Sequence, residues 1–257
     1  MARFKSKKIK RLNIQHRKEA SVYDKARAWN DIAPITGESV KNIKLNKNKT
    51  IMLDLATGTG RVAEYFKDKV KVVVGLDISR DMMGVALSEQ RIDVGVTASA
   101  EDLPFLDNTF DLLYCRSALH YMNYQKALKE WIRVTKDGGW IIVSDISFEN
   151  DAINRWYDKM LKLILPEFAV ISHIKIIKTF HSLGQRSIDY KIHVVSGSVD
   201  DALTRKKTPT SMVKKVKEMF ANASPSLKKE LDIKRVNNDY EFNFGLAITR
   251  CRVRKKK

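Results

Sequence analysis

Met52-Leu53-Asp54-Leu55-Ala56-Thr57-Gly58-Thr59-Gly60 is the stretch on which the fold turns. An apolar run with an acid near its end opens into a glycine-rich turn, the arrangement by which a parallel α/β sheet presents a nucleotide to the start of a helix. Gly58 and Gly60 have no side chains, so the backbone can bend sharply there and approach a ligand closely. Arg61-Val62-Ala63-Glu64-Tyr65-Phe66 supplies the helix that follows.

Two ligands fit such a turn. A nicotinamide dinucleotide would use Gly58, Gly60 and Ala63 as G-x-G-x-x-G/A, with Asp77 as the ribose-binding acid about 20 residues further on. Asp54 separates the readings, because an acid inside the turn opposes a pyrophosphate yet helps to hold a cationic amino-acid group through water or backbone. Charge therefore favours a ligand like S-adenosyl-L-methionine. On the residues Leu53 to Gly60 the chain resembles the class I S-adenosylmethionine-dependent methyltransferases, above all the ubiquinone/menaquinone C-methyltransferase branch and its small-molecule relatives.

The resemblance continues in order along the chain. It implies a cofactor turn made of Asp54, Ala56, Thr57, Gly58 and Gly60. Val72 to Ser79 reads as a second buried strand ending in an acid, and the resemblance implies that Asp77 takes both ribose hydroxyls, with Ile78 and Met82 beside it. Ala98 to Phe105 resembles the family's third loop, where an Asp side chain and the next amide meet the adenine edge. Here Ser99 stands in the Asp position, followed by Ala100 and Glu101. Phe110 to Arg116 reads as the fourth strand, bringing Cys115 and Arg116 to the cofactor and Ser117 to Met122 to the mouth of the site. Ala127 to Val134, the turn Lys136-Asp137-Gly138-Gly139 and Trp140 to Asp145 resemble the closing helix, turn and fifth strand. The implied architecture is an α/β, Rossmann-like fold with a seven-stranded, mostly parallel sheet flanked by helices and a late helical insertion.

Length and composition set the frame. At 257 residues and 44% hydrophobic content, one methyltransferase domain is expected: a basic arm and lid helices over 1–50, a cofactor-binding core over 51–150 and a variable substrate region over 151–257. No run approaches the roughly 18 apolar residues that a membrane span needs, and the basic N-terminus carries no apolar signal core. Cys115 and Cys251 are too few for a disulfide scaffold, so the cytoplasm is the expected location.

The net charge of +18 is unevenly placed: residues 1–50 carry 14 Lys and Arg against 4 acids, residues 51–150 carry 11 against 15, and residues 151–257 carry 23 against 11. Basic flanks either track phosphate or are solvated lysines. Lysine outnumbers arginine 32 to 16, whereas base and phosphate readers favour arginine's planar fork. The densest runs, Lys5 to Arg11 and Arg250 to Lys257, are a tail and a strand end on one reading and a phosphate clamp on the other.

Elsewhere the pattern is coarser. Residues 15–44 alternate helix-forming stretches with Pro34 and Gly37, and Tyr23 to Trp29 reads as a helix beside the cofactor mouth. A Tyr-Asp pair on such a helix acts as a lid in the resembled family, so Tyr23 either touches the cofactor or belongs to the core. Lys41 to Thr50 reads as a polar linker. Ala152 to Ile164 has helical spacing with Trp156, Met160 and Ile164 on one side, and Asp189 to Val195 alternates like a strand. Residues 200–237 form an insertion in which Ser211 to Phe220 is amphipathic, with Met212, Val216 and Phe220 on one face and Lys214, Lys215 and Lys217 outward. Tyr240 to Val253 reads as the final strand.

Methyl transfer from a sulfonium needs mainly alignment, so the remaining chemistry is removal of the acceptor's proton. His120, just after the fourth strand, is the candidate base, against a structural role at a helix start; Tyr121 is the weaker alternative. His173, His181 and His193 are possible pocket residues without metal-site spacing. Tyr114-Cys115-Arg116-Ser117 lacks the Asn/Asp-Pro-Pro-aromatic motif of amine-methylating nucleic-acid enzymes, and Cys115 lacks the preceding proline of cytosine-5 enzymes. Direct transfer to carbon, oxygen or nitrogen of a small molecule is the leading expectation. An RNA methyltransferase using the basic flanks, and a cofactor-binding regulator without turnover, are the alternatives.

Overall fold

Parallel strands buried on both faces read as near-continuous apolar runs, and four such runs form the centre of the sheet. The computed structural model describes residues 32–166, 169–204 and 208–255. In it β1 (Ile51–Leu55), β2 (Val72–Asp77), β3 (Val94–Thr97), β4 (Phe110–Arg116) and β5 (Thr135–Ile146) pair in parallel, in the order β3-β2-β1-β4-β5. The final strand, β8 (Asp239–Arg252), runs antiparallel beside β5, and β6 (Ser187–Ser198) is antiparallel to β8. These are the seven expected strands. An eighth, β7 (Lys234–Val236), pairs with β8 alone as a short hairpin, turned by Asn237 at φ +54°.

Helices cover both faces. Leu128 and Trp131 of α4 (Tyr124–Val134) and Ile176 and Phe180 of α6 (His173–Ser182) pack on Leu53, Leu55, Leu113 and Val143. On the other face, Val40, which follows α1 (Ile32–Ser39), joins Val62 and Phe66 of α2 (Arg61–Phe66) and Met83 and Ala86 of α3 (Arg80–Ser88) on Met52, Val73, Tyr114 and Ile142. A third cluster is built by the last part of the chain: α5 (Asp151–Ile164), α7 (Val199–Thr204), α8 (Thr210–Ala221) and α9 (Pro225–Glu230) close over Phe242 and Phe244 of β8. This is the late helical insertion. No helix among the described residues is long and apolar enough to cross a membrane.

Several local expectations change. Pro34 and Gly37 lie inside α1 and do not interrupt it, because proline is tolerated in a first helical turn, where its missing N–H has no partner to lose. A Cβ on Gly37 would stand 3.1 Å from the Tyr65 hydroxyl, so the small residue permits close approach to α2. The turn at Lys136 to Gly139 is a bulge within β5: Phe110 pairs with Thr135 and Leu112 with Trp140, and Gly138 takes φ +76°. In α5 the buried stripe is Ile153, Tyr157, Met160 and Leu161, while Trp156 and Ile164 are half-buried at its border. Lys217 does not point freely outward, since its Nζ donates to Asp200 Oδ2 at 2.8 Å and to the Asn238 carbonyl at 2.6 Å. Tyr23 and the rest of residues 1–31 lie outside the described residues.

The end of β5 is fastened to β8 by a close backbone approach. The Ser147 amide donates to the Gly245 carbonyl at 3.1 Å, and a Cβ on Gly245 would come within 2.2 Å of the Ser147 oxygen. Gly245→Ala is therefore expected to lower stability by about 2 kcal/mol through overpacking. Urea unfolding measures it, and an unchanged midpoint would show that the strands separate at little cost.

Candidate functional site

Strand order reverses between β1 and β4, since β2 and β3 extend to one side of β1 and β4 and β5 to the other. The loops leaving the carboxyl ends of these strands diverge there, and the crevice between them is where open α/β sheets bind ligands. The residues singled out from the sequence converge on it.

After β1 the chain makes a tight turn with Ala56 at φ +52°, Gly58 at +56° and Gly60 at +85°. The two glycines serve different ends. A Cβ on Gly60 would meet Arg91 Cβ at 2.9 Å and Ala86 Cβ at 3.1 Å, so that glycine lets the turn sit against the end of α3. A Cβ on Gly58 would meet nothing within 4 Å among the described residues. The Thr57 amide donates to the Leu76 carbonyl at 3.0 Å, tying the turn to β2.

Asp77, buried at the end of β2, collects two amides: Gly58 N–H on Oδ2 at 2.9 Å and Ser79 N–H on Oδ1 at 2.7 Å. Ile78 follows, half-buried, and Met82 is buried in the first turn of α3, its amide capped by Ser79 Oγ at 3.3 Å. Asp54 is also buried, but its carboxylate is spent on the turn: Oδ2 accepts the Thr57 hydroxyl at 2.5 Å, and the Ala63 amide donates to the same side chain.

The loop after β3 is held locally. Ser99 Oγ accepts the Glu101 amide at 3.2 Å, and the Ala100 carbonyl accepts the Trp131 indole at 2.9 Å. Glu101 Oε1 accepts the Asn123 amide at 2.9 Å, joining this loop to the start of α4. At the end of β4, Cys115 is fully buried and burial holds its thiol protonated, well above the ordinary range. Arg116 is half-buried beside it, and Ser117 turns the chain at φ +50°.

That turn leads into a single 3-10 turn, Leu119–Tyr121, which carries His120. His120 is buried, with its Nδ1 at 3.2 Å from Asp145 Oδ2 and 3.3 Å from Oδ1. Asp145, which ends the run Trp140 to Asp145 read as the fifth strand, is paired with His120 by the structure, a partnership the sequence did not suggest. The signal was available in the parallel register, because Arg116 lies opposite Ser144 and the residues just beyond those positions emerge side by side. His120, Ser117 and Tyr121 line a cavity of about 160 Å³ whose remaining described wall comes from Ile146 at the end of β5, the end of β6, α5, α7, α8 and β8. His173, His181 and His193 do not line it: His173 Nδ1 pairs with Ser147 Oγ at 2.8 Å and His181 Nδ1 with the Gln185 carbonyl at 3.0 Å.

The basic C-terminal run is built into the fold as far as it is described. Arg250 Nε donates to Asp189 Oδ1 at 2.6 Å and its Nη1 to the Lys41 carbonyl at 2.8 Å, Cys251 and Val253 are buried, and Lys255 Nζ donates to the carbonyls of Ile132 and Arg133. That is the strand-end reading. Lys5 to Arg11 lies outside the described residues. No metal-binding cluster occurs among the described residues.

Burial pushes the Asp54 carboxyl up to about 7, against the two hydrogen bonds it accepts and with a further rise from Asp77. The unfolded chain releases this proton near pH 4. Between those values the folded state holds the extra proton, so this group's stabilisation is present below pH 4 and is lost as pH rises towards 7. Asp54→Asn should therefore shrink the loss of unfolding free energy between pH 5 and 7.5 by roughly 2 kcal/mol. Identical pH dependence in the two proteins, measured by urea unfolding, would sink this account of Asp54.

Comparison with known proteins agrees with this geometry. A family model described as a methyltransferase domain matches residues 53–143, from β1 to within β5. A malonyl-[acyl-carrier protein] O-methyltransferase of Buchnera aphidicola is 33% identical over 52% of this chain and 56% of its own length. An uncharacterized protein of Methanocaldococcus jannaschii is 31% identical over 66% of this chain and 80% of its own. The crystal structure of the YcgJ protein of Bacillus subtilis superposes with a TM-score of 0.78 at 23% identity, over 86% of this chain and 98% of that one. The chain spans about half the length of the curated malonyl-carrier and demethylmenaquinone methyltransferases that it matches. With the strand order, the glycine turn and the acid after β2 in place, these matches make the chain a member of the class I S-adenosylmethionine-dependent methyltransferases.

Proposed function

We propose that this chain, acting as one methyltransferase unit, moves the methyl group of S-adenosyl-L-methionine directly onto an oxygen, carbon or nitrogen of a small molecule held in the cavity beside His120. The observation that carries the reading is the His120–Asp145 pair, buried between the crevice at β1 and β4 and the apolar cavity.

The residues present fit the cofactor. Among the described residues nothing crowds Gly58, which suits a ligand lying against the backbone, and Asp77, buried at the end of β2 beside that turn, is the acid placed for the ribose hydroxyls. Two buried acids at one turn, Asp54 and Asp77, repel a diphosphate and tolerate a cationic amino acid. Ala56, Thr57, Gly60, Ile78 and Met82 shape that side of the site. Ser99, Ala100 and Glu101 edge the adenine side by their backbone, since the Ser99 and Glu101 side chains are engaged elsewhere. Cys115 and Arg116 form the floor at the end of β4. When bound, the cofactor supplies an electrophilic methyl on a good leaving group.

The protein's part is alignment and one proton. With Nδ1–H donated to Asp145, the neutral imidazole of His120 keeps Nε2 as an acceptor, and Asp145 fixes ring and tautomer. Asp145 is held in turn, its Oδ1 accepting the Ile146 amide at 2.9 Å. His120 takes the proton from an acceptor O–H, N–H or acidic C–H as the new bond forms, and the cavity excludes water from the transfer.

The test is transfer of radiolabelled methyl from S-adenosylmethionine into a cell extract that is then separated into small-molecule, RNA and protein fractions. Label in the small molecules is expected; label confined to RNA would replace this reading with the RNA one, and no label would leave a binding protein. His120→Gln should lower kcat by about 10²- to 10⁴-fold while cofactor affinity stays unchanged. Asp77→Ala should abolish cofactor binding in titration calorimetry while the circular dichroism spectrum is retained. Unaltered affinity would remove Asp77 from the site.

A further inference from the structure

The turn that carries His120 is held at both ends. Three residues before it, the Ser117 amide donates to the Ser144 carbonyl at 2.8 Å, an anchor set by the register of β4 against β5. Three residues after it, the Asn123 amide donates to Glu101 Oε1 at 2.9 Å. Between these points the described backbone bonds are local, from the Tyr121 amide to the Ala118 carbonyl at 2.9 Å and from the Met122 amide to the Leu119 carbonyl at 3.2 Å. Leu119 is buried in the core beneath the turn, so the two anchors decide the direction in which the next residue, His120, faces.

The second anchor has an unusual origin. Asn123 caps α4, its Oδ1 accepting the Lys126 amide at 3.1 Å. A helix start of this kind is completed when an acid three residues on reaches back to the amide of the cap residue. In α4 that position is Lys126, which has no acceptor to offer, and the carboxylate arrives instead from the loop after β3, 22 residues earlier in the chain. Its negative charge also suits the start of a helix.

That loop does not need the carboxylate for its own shape. The Ala100 carbonyl accepts the Trp131 indole at 2.9 Å, the Leu103 amide donates to Glu130 Oε2 at 3.1 Å, and Arg133 donates to the carbonyls of Leu103 and Phe105 at 2.9 and 2.8 Å. The Glu101 amide is held by Ser99 Oγ at 3.2 Å, a bond of the backbone that any side chain keeps. The Glu101 side chain can therefore be altered with the adenine-side loop in place.

We infer that Glu101, expected from the sequence as a cofactor contact, is a positioning residue for the base: its carboxylate holds Asn123 so that His120 keeps Nδ1 on Asp145 and Nε2 for the acceptor. The inference rests on the methyl-transfer reading for the work that His120 does, whereas the hydrogen bonds behind it are independent of that reading. Glu101 acts by accepting a hydrogen bond and takes no proton. The loop that edges the adenine and the turn that carries the base are thereby braced to each other, so the base is held relative to the bound cofactor.

The full chain, isotope-labelled at its histidine nitrogens, reads this directly, because two-bond proton–nitrogen NMR spectra distinguish the two neutral imidazole tautomers. At about pH 8.5, above the ordinary imidazole range, the His120 signal, identified by its loss in His120→Gln, is expected to report mainly the Nδ1–H form. Glu101→Met keeps the length of the side chain and removes the acceptor, and the ratio of Nδ1–H to Nε2–H forms should fall about fivefold or more. Affinity for S-adenosyl-L-homocysteine in titration calorimetry should stay within about twofold, which also shows that the variant is folded. Glu101→Gln retains an oxygen for the Asn123 amide and should restore the parent ratio. Methyl incorporation from S-adenosylmethionine into the small-molecule fraction of the extract should follow the same order, falling about tenfold or more in Glu101→Met and recovering in Glu101→Gln. An unchanged tautomer ratio in Glu101→Met, a Glu101→Gln protein altered as much as Glu101→Met, or loss of cofactor affinity in Glu101→Met would each overturn the inference. The tautomer is read without turnover. A protein whose ratio responds as expected but that transfers no methyl defeats the methyl-transfer reading alone, and an active enzyme with an unresponsive ratio defeats this inference alone.

Discussion

A single carboxylate organises the crevice. β1 and β2 lie side by side in register, Leu55 opposite Leu76, and their loops leave towards different helices. Asp77 draws the amides of Gly58 and Ser79 onto its two oxygens and so holds the first turn and the start of α3 together. The left-handed backbone at Ala56, Gly58 and Gly60 costs conformational freedom, and for alanine also steric strain. The hydrogen bonds of Asp77, Asp54 and the Thr57 amide offset that cost. The acid thus has a structural duty in the free protein as well as the ligand role proposed for it. Its role cannot be divided into one or the other.

The second constraint is the register of β4 against β5. It sets Ser117, with its own left-handed backbone, beside Ser144, whose carbonyl accepts the Ser117 amide at 2.8 Å. The chain is thereby turned so that His120 meets Asp145, a residue 25 positions away and on another strand. Glu101 adds a brace from the loop after β3 to the residue that caps α4. Cofactor loops and candidate base are therefore parts of one hydrogen-bonded edge of the sheet.

Much of this was legible in the sequence because it is local. The apolar runs, the glycine turn and the acid after β2 name their own elements, and the strand limits at Val72, Phe110 and Arg116 fall where periodicity puts them. Pairings between distant residues were not legible. Nothing local joins Asp145 to His120, which follows another strand, and the histidines of the last third looked like pocket residues because nothing local says that Ser147 and the Gln185 carbonyl take two of them. In α5 the true stripe lies one position from the expected one, since Trp156 packs sideways on Phe220 at 5.1 Å while Tyr157 faces inward. Pro34 misled for a simpler reason: only knowledge of where a helix begins shows that a proline sits in its first turn.

The cavity draws its walls from Tyr157, Met160, Leu161, Val216 and Phe242, while the glycine turn and the acids of the crevice all precede residue 150. Among the described residues only Ser117, His120, Tyr121 and Ile146 of the earlier segment also line the cavity. Selection on the later segment can therefore reshape what is modified without disturbing how the donor is held, and the earlier segment can be inherited almost as a cartridge. The shared stretch with known methyltransferases, residues 53–143, ends just where that freedom begins.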